Sequence, residues 1–353
     1  MKVFFNSTQL LKIVSLFILT VAFGLVTGNI YSQDFVSVKD GEWKADNTWE
    51  SSSNCSKWSN VSDGQPPVSK SWGCEVTVVI NHEVTYSGNI SGFGSGVFTS
   101  LEIGPNGKLI FEDNITINGG GSEPEIVLAE GAELVVNGKF DIDRGVEIIV
   151  PNNAKLTINN FEIGDNKPVI IIEEGAMLIV DGETHVRSKS TLNVLGQFQT
   201  GELNYSSGGE INIGSKDFSG VVTVSGNMLI GNGDLKMYNS STLMVGGTSS
   251  TGSSGSIKIE DNANIRLIGD VEMGRGGSMT LKDKAEFSFE SKFFTSGGAK
   301  IELNDNARGT VHDEVIMTNG KLSLNNKSEL MLGSTFTATN GAKVVAKDDG
   351  AMF

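Results

Sequence analysis

A period of 22 residues constrains the fold of this chain more than any other feature. Three segments repeat the same order of apolar, polar, small and apolar residues, and their leucines Leu134, Leu156 and Leu178 are 22 residues apart. Leu109 begins the series, the spacing drifts around Phe198 and Val222, and it returns to about 22 residues along Leu243, Ile265, Phe287, Gly309, Leu330 and Phe353. Repeats of about 20–50 residues are typical of solenoids, in which each unit buries its apolar face against its neighbours.

Each repeat places alternating apolar residues on both sides of a polar turn. Alternation is the pattern of a strand with one buried face, and turns rich in Asn, Asp and Gly tolerate a left-handed backbone. A small residue follows the turn in six repeats: Ala132, Ala154, Ala176, Ala263, Ala285 and Ala307. We therefore predict an all-β fold, a parallel β-helix (β-solenoid) of about a dozen coils of about 22 residues with an N-terminal cap. Right-handed winding is expected from the general rule for parallel crossovers.

Residues 1–33 are predicted to be an export signal. Lys2 and Lys12 accompany an apolar run from residue 13 to residue 26, which small and polar residues follow. The run is shorter than the roughly 20 residues of a membrane-spanning helix, and an uncleaved anchor is the alternative. We expect an extracellular or cell-surface protein without a membrane span after signal removal. Its formal net charge of −15 disfavours nucleic acid as a partner.

Residues 34–100 are predicted to cap the N-terminal end of the solenoid. All four tryptophans and both cysteines of the chain fall in this region. An oxidising compartment permits a disulfide between Cys55 and Cys74, whose loop of about 20 residues would contribute roughly 3 kcal/mol. Two free thiols or a metal pair are the alternatives. Residues 101–353 are assigned to the array, which we expect to be truncated at its C-terminus.

Two segments of the capping region resemble a known family. The run from Val38 to Trp49 contains Asp-Gly-Glu-Trp, and the run from Val76 to Val84 ends in Asn-His-Glu-Val. This pair of segments is similar to the eight-glycine extracellular domain and to secreted parallel β-helix surface proteins of the Bacteroidetes type. The stretch from Cys55 to Cys74 departs from that pattern. The resemblance implies an extracellular role in carbohydrate binding or processing.

The leading functional hypothesis is a non-catalytic extracellular or cell-surface module, structural or adhesin-like, that contacts polysaccharide or cell-surface components. The alternative is a polysaccharide lyase or glycoside hydrolase of the β-helix type. Such enzymes need calcium-holding carboxylates with a basic side chain, or a carboxylate pair. The histidines His82, His185 and His312 are scattered along the chain, and we assign no catalytic residue.

Two polar columns recur at the repeat period. Asp261, Asp283 and Asp305 are expected to stack on one turn, where they form either a calcium-binding stripe or a ladder of exposed turns. Glu130, Asn152, Glu174 and Asp349 are assigned to the same column. No other cofactor is expected.

A second column consists of Asn137, Asn159 and Asp181. We assign it to a structural ladder of hydrogen bonds inside the solenoid. The Gly- and Ser-rich run at residues 246–255 is predicted to be a flexible loop on the side of the solenoid.

Overall fold

The computed structural model describes residues 32–53, 66, 75–93, 100–118, 125–205 and 208–352. Residues 1–31 of the predicted export signal and both cysteines of the predicted disulfide lie outside these residues, whereas Ser32 and Gln33 begin the first strand. Stacked parallel coils of about 22 residues form a β-solenoid of about 11 turns, which confirms the predicted fold class. Within the described chain, no helix is long and apolar enough to cross a bilayer.

The first coils set up three faces of parallel strands. The strands are β1 (Ser32–Ser37), β2 (Gly41–Glu42), β3 (Trp49–Ser53), β4 (Glu75–Ile80), β5 (Glu83–Tyr86), β6 (Ile90–Phe93), β7 (Ser100–Ile103), β8 (Lys108–Phe111) and β9 (Ile115–Asn118). Face 1 begins with β1, β4 and β7, face 2 with β2, β5 and β8, and face 3 with β6 and β9. A single 3-10 turn, Asp46–Thr48, precedes β3.

In the next coils, one long bent strand serves both face 2 and face 3. Its register shifts at the bend, for example between Val136 and Lys139. The strands are β10 (Glu125–Leu128), β11 (Glu133–Asp143), β12 (Glu147–Val150), β13 (Lys155–Ile163), β14 (Val169–Ile172), β15 (Met177–Val186), β16 (Thr191–Val194) and β17 (Gln197–Asn204).

The later coils again divide into three separate strands each, and the third strand of a coil has three or four residues. They are β18 (Glu210–Ile213), β19 (Val221–Val224), β20 (Met228–Ile230), β21 (Asp234–Met237), β22 (Thr242–Val245), β23 (Ser249–Thr251), β24 (Ser256–Ile259), β25 (Asn264–Leu267), β26 (Val271–Met273), β27 (Ser278–Leu281), β28 (Glu286–Phe289), β29 (Phe293–Thr295), β30 (Lys300–Leu303), β31 (Arg308–Val311), β32 (Val315–Thr318), β33 (Lys321–Leu324), β34 (Glu329–Leu332), β35 (Phe336–Thr339), β36 (Lys343–Ala346) and β37 (Ala351–Met352).

The predicted apolar columns form the core. Leu134, Leu156 and Leu178 are paired in register and almost fully buried. The rest of the series stacks in the same way as far as Leu330. Above Leu330 the register places Met352, so the assignment of Phe353 to this column is wrong by one residue. The six recurring alanines are buried at the ends of their turns, which confirms a crowded bend at that position.

The N-terminal edge of face 1 is covered by an antiparallel strand. Face 1 is a 15-stranded sheet in which β3 pairs antiparallel with β1, whereas every other neighbouring pair is parallel. Such a strand occupies an edge whose open backbone groups would otherwise invite aggregation. Next to it, Trp43 and Trp49 are buried with their ring centroids 5.2 Å apart. Residues 34–100 thus contribute both this covering strand and the strands of the first coils.

The Gly- and Ser-rich run at residues 246–255 contains a strand of face 3. Ser249–Thr251 pairs in parallel with β20 and β26, and the side chains of Ser249 and Thr251 point into the core. The prediction of a flexible side loop is therefore wrong for these residues. The reason is that small hydroxyl side chains fill the interior here, so the short strand has no apolar alternation in its sequence.

One buried hydroxyl of face 3 offers a stability test. Thr295 stacks between Met273 and Met317 and is 3% exposed, and its hydroxyl has no hydrogen-bond partner among the described residues. Because Thr295→Val keeps the shape and removes an unsatisfied polar group, the free energy of unfolding should rise by about 1 kcal/mol. Thr251→Val is the matched control, since the Thr251 hydroxyl accepts a hydrogen bond from the Gly274 amide at 3.1 Å. Urea unfolding should show opposite shifts for the two variants, and a loss of stability in Thr295→Val would contradict the prediction.

Candidate functional site

A polar groove of about 480 Å³ lies at the corner between faces 1 and 2 in the first coils. This volume falls within the roughly 300–1,000 Å³ typical of ligand sites. Side chains from successive coils line it, and those with polar groups are Asp40, Asn81, His82, Glu83, Asn106, Lys108 and Glu133. We call this site the corner groove.

The two segments that carry the family resemblance meet at the corner groove. Gly41 and Glu42 pair in parallel with Val84 and Thr85, and the Glu83 amide donates a hydrogen bond to the Asp40 carboxylate at 2.8 Å. Sequence reasoning noted both segments but did not place them in one site. The available signal was the repeat itself, because Val84 stacks directly below Leu109.

His82 is held in the groove by the backbone of β1. Its Nδ1 atom lies 2.9 Å from the Ser37 carbonyl oxygen and 3.3 Å from the Ser37 hydroxyl. Because a carbonyl oxygen only accepts, Nδ1 carries a proton and donates a hydrogen bond to Ser37. This hydrogen bond fixes the imidazole ring at the first corner, where it lines the groove.

Alternating charges follow one column from the groove along face 2. Lys108 lies 3.4 Å from Glu83 and 3.7 Å from Glu133, and Lys155 lies 3.9 Å from Glu133. These residues are in register on consecutive coils. All are at least partly exposed, so each pair contributes less than about 1 kcal/mol. These ion pairs, which we call the charge ladder, fix the side chains on one wall of the groove.

A second polar cluster lies on the outer surface of face 3. Glu162 is only 7% exposed, although it points outward. Its carboxylate lies 3.1 Å from Lys139 and 3.8 Å from His185, and it contacts Arg187. Burial opposes the charge on Lys139, but hydrogen bonds to Glu162 and to Asp141 leave the Lys139 pKa raised. We call these five residues the Glu162 cluster.

Two other carboxyl groups bind basic side chains of neighbouring coils. Lys236 donates a 2.6 Å hydrogen bond to Glu210, and Arg266 donates one of 2.9 Å to Glu290. These bonds lower the pKa of both carboxyl groups. A hydrolase acid requires the opposite shift, because it must hold its proton near neutral pH.

The aspartates of the predicted turn column share an unusual backbone. Asp261, Asp283 and Asp305 have φ values of 61°, 61° and 63°, in the left-handed region where Asp and Asn are favoured among non-glycine residues. The Asp261 carboxylate accepts the Asn239 amide at 3.0 Å, and Asp305 accepts the side-chain amide of Asn326 at 2.9 Å. Backbone geometry thus accounts for the residue types in this column.

The earlier members of that column adopt a different turn. At Glu130, Asn152 and Glu174 the left-handed residue is the following one, namely Gly131, Asn153 and Gly175. Among the described residues, no group of three or more His, Cys, Asp or Glu is placed to hold a metal ion. Calcium binding by Asp261, Asp283 and Asp305 stays a prediction.

The predicted internal ladder of Asn137, Asn159 and Asp181 is on the outside. All three side chains are exposed, because each follows a buried inward residue and strand alternation therefore points it outward. Asn137 instead donates a 2.8 Å hydrogen bond to Glu112 of the preceding coil.

A neighbouring set of asparagines connects the coils through the backbone. The side chains of Asn114, Asn160 and Asn227 each accept a backbone N–H from the next coil. These bonds satisfy donors that the bent strands leave unpaired. Hydrogen bonding between coils by asparagine side chains was thus predicted, but the residues that form these bonds were not.

Comparison with known proteins finds no matching family model, no matching curated protein and no matching solved structure. The β-solenoid part of the family resemblance is confirmed by the coils themselves. The relation to the eight-glycine domain and to surface proteins of the Bacteroidetes type stays a prediction, as does the Cys55–Cys74 disulfide.

The Glu162 cluster should be worth more stability than an ordinary surface pair. Glu162→Gln removes the charge that Lys139 and Arg187 share, so the free energy of unfolding should fall by about 1–2 kcal/mol. The control is Glu260→Gln, whose pairing with Lys282 at 3.5 Å is more exposed and should matter little. Urea unfolding at neutral pH measures both variants. Equal effects would contradict the special role of Glu162.

Proposed function

We propose that this chain is a non-catalytic extracellular or cell-surface module, structural and adhesin-like, that contacts polysaccharide through its polar outer surfaces. The observation that carries the proposal is the pairing of acidic and basic side chains between neighbouring coils. Groups that an enzyme would keep available for proton transfer are bound to one another instead.

This pairing recurs along much of the described solenoid. It includes the charge ladder beside the corner groove, the Glu162 cluster, and the pairs Lys236–Glu210, Arg266–Glu290 and Arg308–Glu329. Ion pairs between coils hold side chains in fixed positions on a regular surface. A surface of this kind suits a scaffold that presents contacts at the coil spacing.

The extracellular setting is supported by the sequence. The apolar run at residues 13–26 is typical of an export signal, and the resemblance of the first coils points to carbohydrate. The strongly negative charge favours a soluble exterior.

The Glu162 cluster is the specific observation that favours the alternative function. A carboxylate flanked by Lys139 of the preceding coil and by His185 and Arg187 of the following coil brings together the acid and base types that a polysaccharide lyase or glycoside hydrolase requires. If the protein is such an enzyme, Glu162 is the residue that we expect to be essential.

A panel of neutral, amino and acidic polysaccharides separates the two functions. The exported protein should be retained on at least one polysaccharide without releasing reducing ends or unsaturated products. Products that form with the native protein and disappear in Glu162→Gln would overturn the non-catalytic proposal. If the protein is retained on no polysaccharide at all, the proposed contact with polysaccharide is contradicted.

A further inference from the structure

We infer that the corner groove binds an amine-bearing sugar unit, so that its ligand is a polysaccharide with free amino groups. This inference rests on the proposed function and narrows it to one site and one ligand class. It depends on the shape of the groove, its hydrogen-bonding groups and its charge.

The shape suits part of a chain molecule. The groove has room for a ligand of drug or sugar size. Its walls come from the corners of successive coils, so they repeat at the strand spacing of about 4.8 Å. A linear polymer can therefore place one unit in the groove and continue along the stacked corners.

The lining matches sugar hydroxyl groups, which both donate and accept hydrogen bonds. Acceptors are supplied by the carboxylates of Asp40 and Glu83, while the amides of Asn81 and Asn106 supply both functions. Several of these groups are fixed before a ligand arrives. Asp40 is held by the Glu83 amide, and His82 by Ser37. Fixed groups lose less entropy on binding, which raises affinity.

The charge of the lining selects among sugars. Asp40, Glu83 and Glu133 contribute three negative charges, and Lys108 supplies one positive charge. Lys108 is already shared between Glu83 and Glu133, and Lys155 lies against Glu133 from the next coil. Among the residues that the structure describes, Asp40 has no such basic partner. The excess negative charge repels uronic acids and attracts an ammonium group, and the net charge of −15 adds attraction at longer range.

Three hexasaccharides of different charge test the inference by calorimetry on the full exported chain at low and physiological salt. They are β-1,4-linked glucosamine, N-acetylglucosamine and galacturonic acid. We expect the glucosamine hexamer to bind at least tenfold more tightly than the N-acetylated one, and the galacturonate hexamer to give no heat. Equal or tighter binding of galacturonate would overturn the inference.

Variants then locate the site. Asp40→Asn should weaken glucosamine binding about tenfold, and Glu83→Gln provides an independent variant in case the first fails to fold. Asp217→Asn is the matched control, because Asp217 is exposed and lies far along the chain. Equal affinity in all three variants would show attraction to the acidic surface in general and would overturn the groove as the site. If the Asp40→Asn variant is still retained on polysaccharides, the proposed function is supported even though the groove is not the site. If no saccharide binds at all, both the groove site and the proposed function are contradicted.

Discussion

Replacing Trp43 with alanine should lower the free energy of unfolding by about 3–5 kcal/mol. Trp43 is fully buried at the start of the solenoid, where its ring lies edge-on to Trp49 and to Tyr86 at 5.2 and 5.7 Å between centroids. Its indole N–H donates to the Pro66 carbonyl at 3.3 Å, and its own carbonyl accepts the Trp49 indole at 2.8 Å. Truncation therefore leaves a large cavity and removes the donor to the Pro66 carbonyl, at the first coil of the described residues, whereas the backbone acceptor of the Trp49 indole is retained.

Denaturation followed by far-ultraviolet circular dichroism measures this loss without relying on tryptophan fluorescence. Trp43→Phe is the control and should lose clearly less, because the ring contacts survive. Hydrogen exchange should show lost protection in β1, β4 and β5 while β30 keeps its protection, since coils are stabilised mainly by their neighbours. An unchanged unfolding midpoint in Trp43→Ala would contradict a stabilising role of this residue in the N-terminal cap.

The second large effect is expected at Gly309, where a glycine occupies an inward position of the core column. A Cβ atom at this position would lie 2.3 Å from the ring of Phe287 and 3.0 Å from Leu330. Gly309→Val should therefore reduce the free energy of unfolding by about 2–3 kcal/mol through overpacking. Phe287 also packs against Phe289, whose ring centroid is 4.4 Å away, so its ring has little room to move.

A double-mutant cycle makes this prediction specific to the stacking. In a Phe287→Leu background the valine at position 309 gains room, so the two changes should couple by at least about 1 kcal/mol. Phe198→Leu is the control partner, because it lies in the same column but several coils away, and its effect should add independently. Additive effects of Phe287→Leu and Gly309→Val would show that these residues, 22 apart in sequence, are not in contact.

The strands of faces 1 and 2 could be predicted because their alternation of apolar and polar residues recurs at the coil period. Leu134, Leu156 and Leu178 occupy equivalent positions in coils of constant length, and alternation around them gives the strand period directly. Face 3 could not be predicted in the same way. Its strands either continue around a bend with a register shift or are short, with Ser249 and Thr251 at inward positions.

The error at Asn137 has a different cause. Leu134 and Val136 point inward, so alternation alone places Asn137 on the outside, where the structure has it. The recurrence of Asn and Asp at this position suggests an internal ladder, although the alternation opposes it. The corner groove was missed for another reason. Asp40 and Glu83 are 43 residues apart, and the segment between β3 and β4 breaks the period that would have aligned them.

Distances between spin labels test the central claim, that equivalent residues of successive coils lie directly over one another. Thr85, Thr157, Thr223 and Thr310 belong to one outward column of face 2. Nitroxides carried on noncanonical amino acids would leave the native cysteines unlabelled. At about 4.8 Å per coil, electron–electron double resonance should give roughly 19 Å for Thr223 with Thr310, about 34 Å for Thr157 with Thr310 and about 48 Å for Thr85 with Thr310. Distances that fail to increase in proportion to the number of coils would contradict the stacked solenoid.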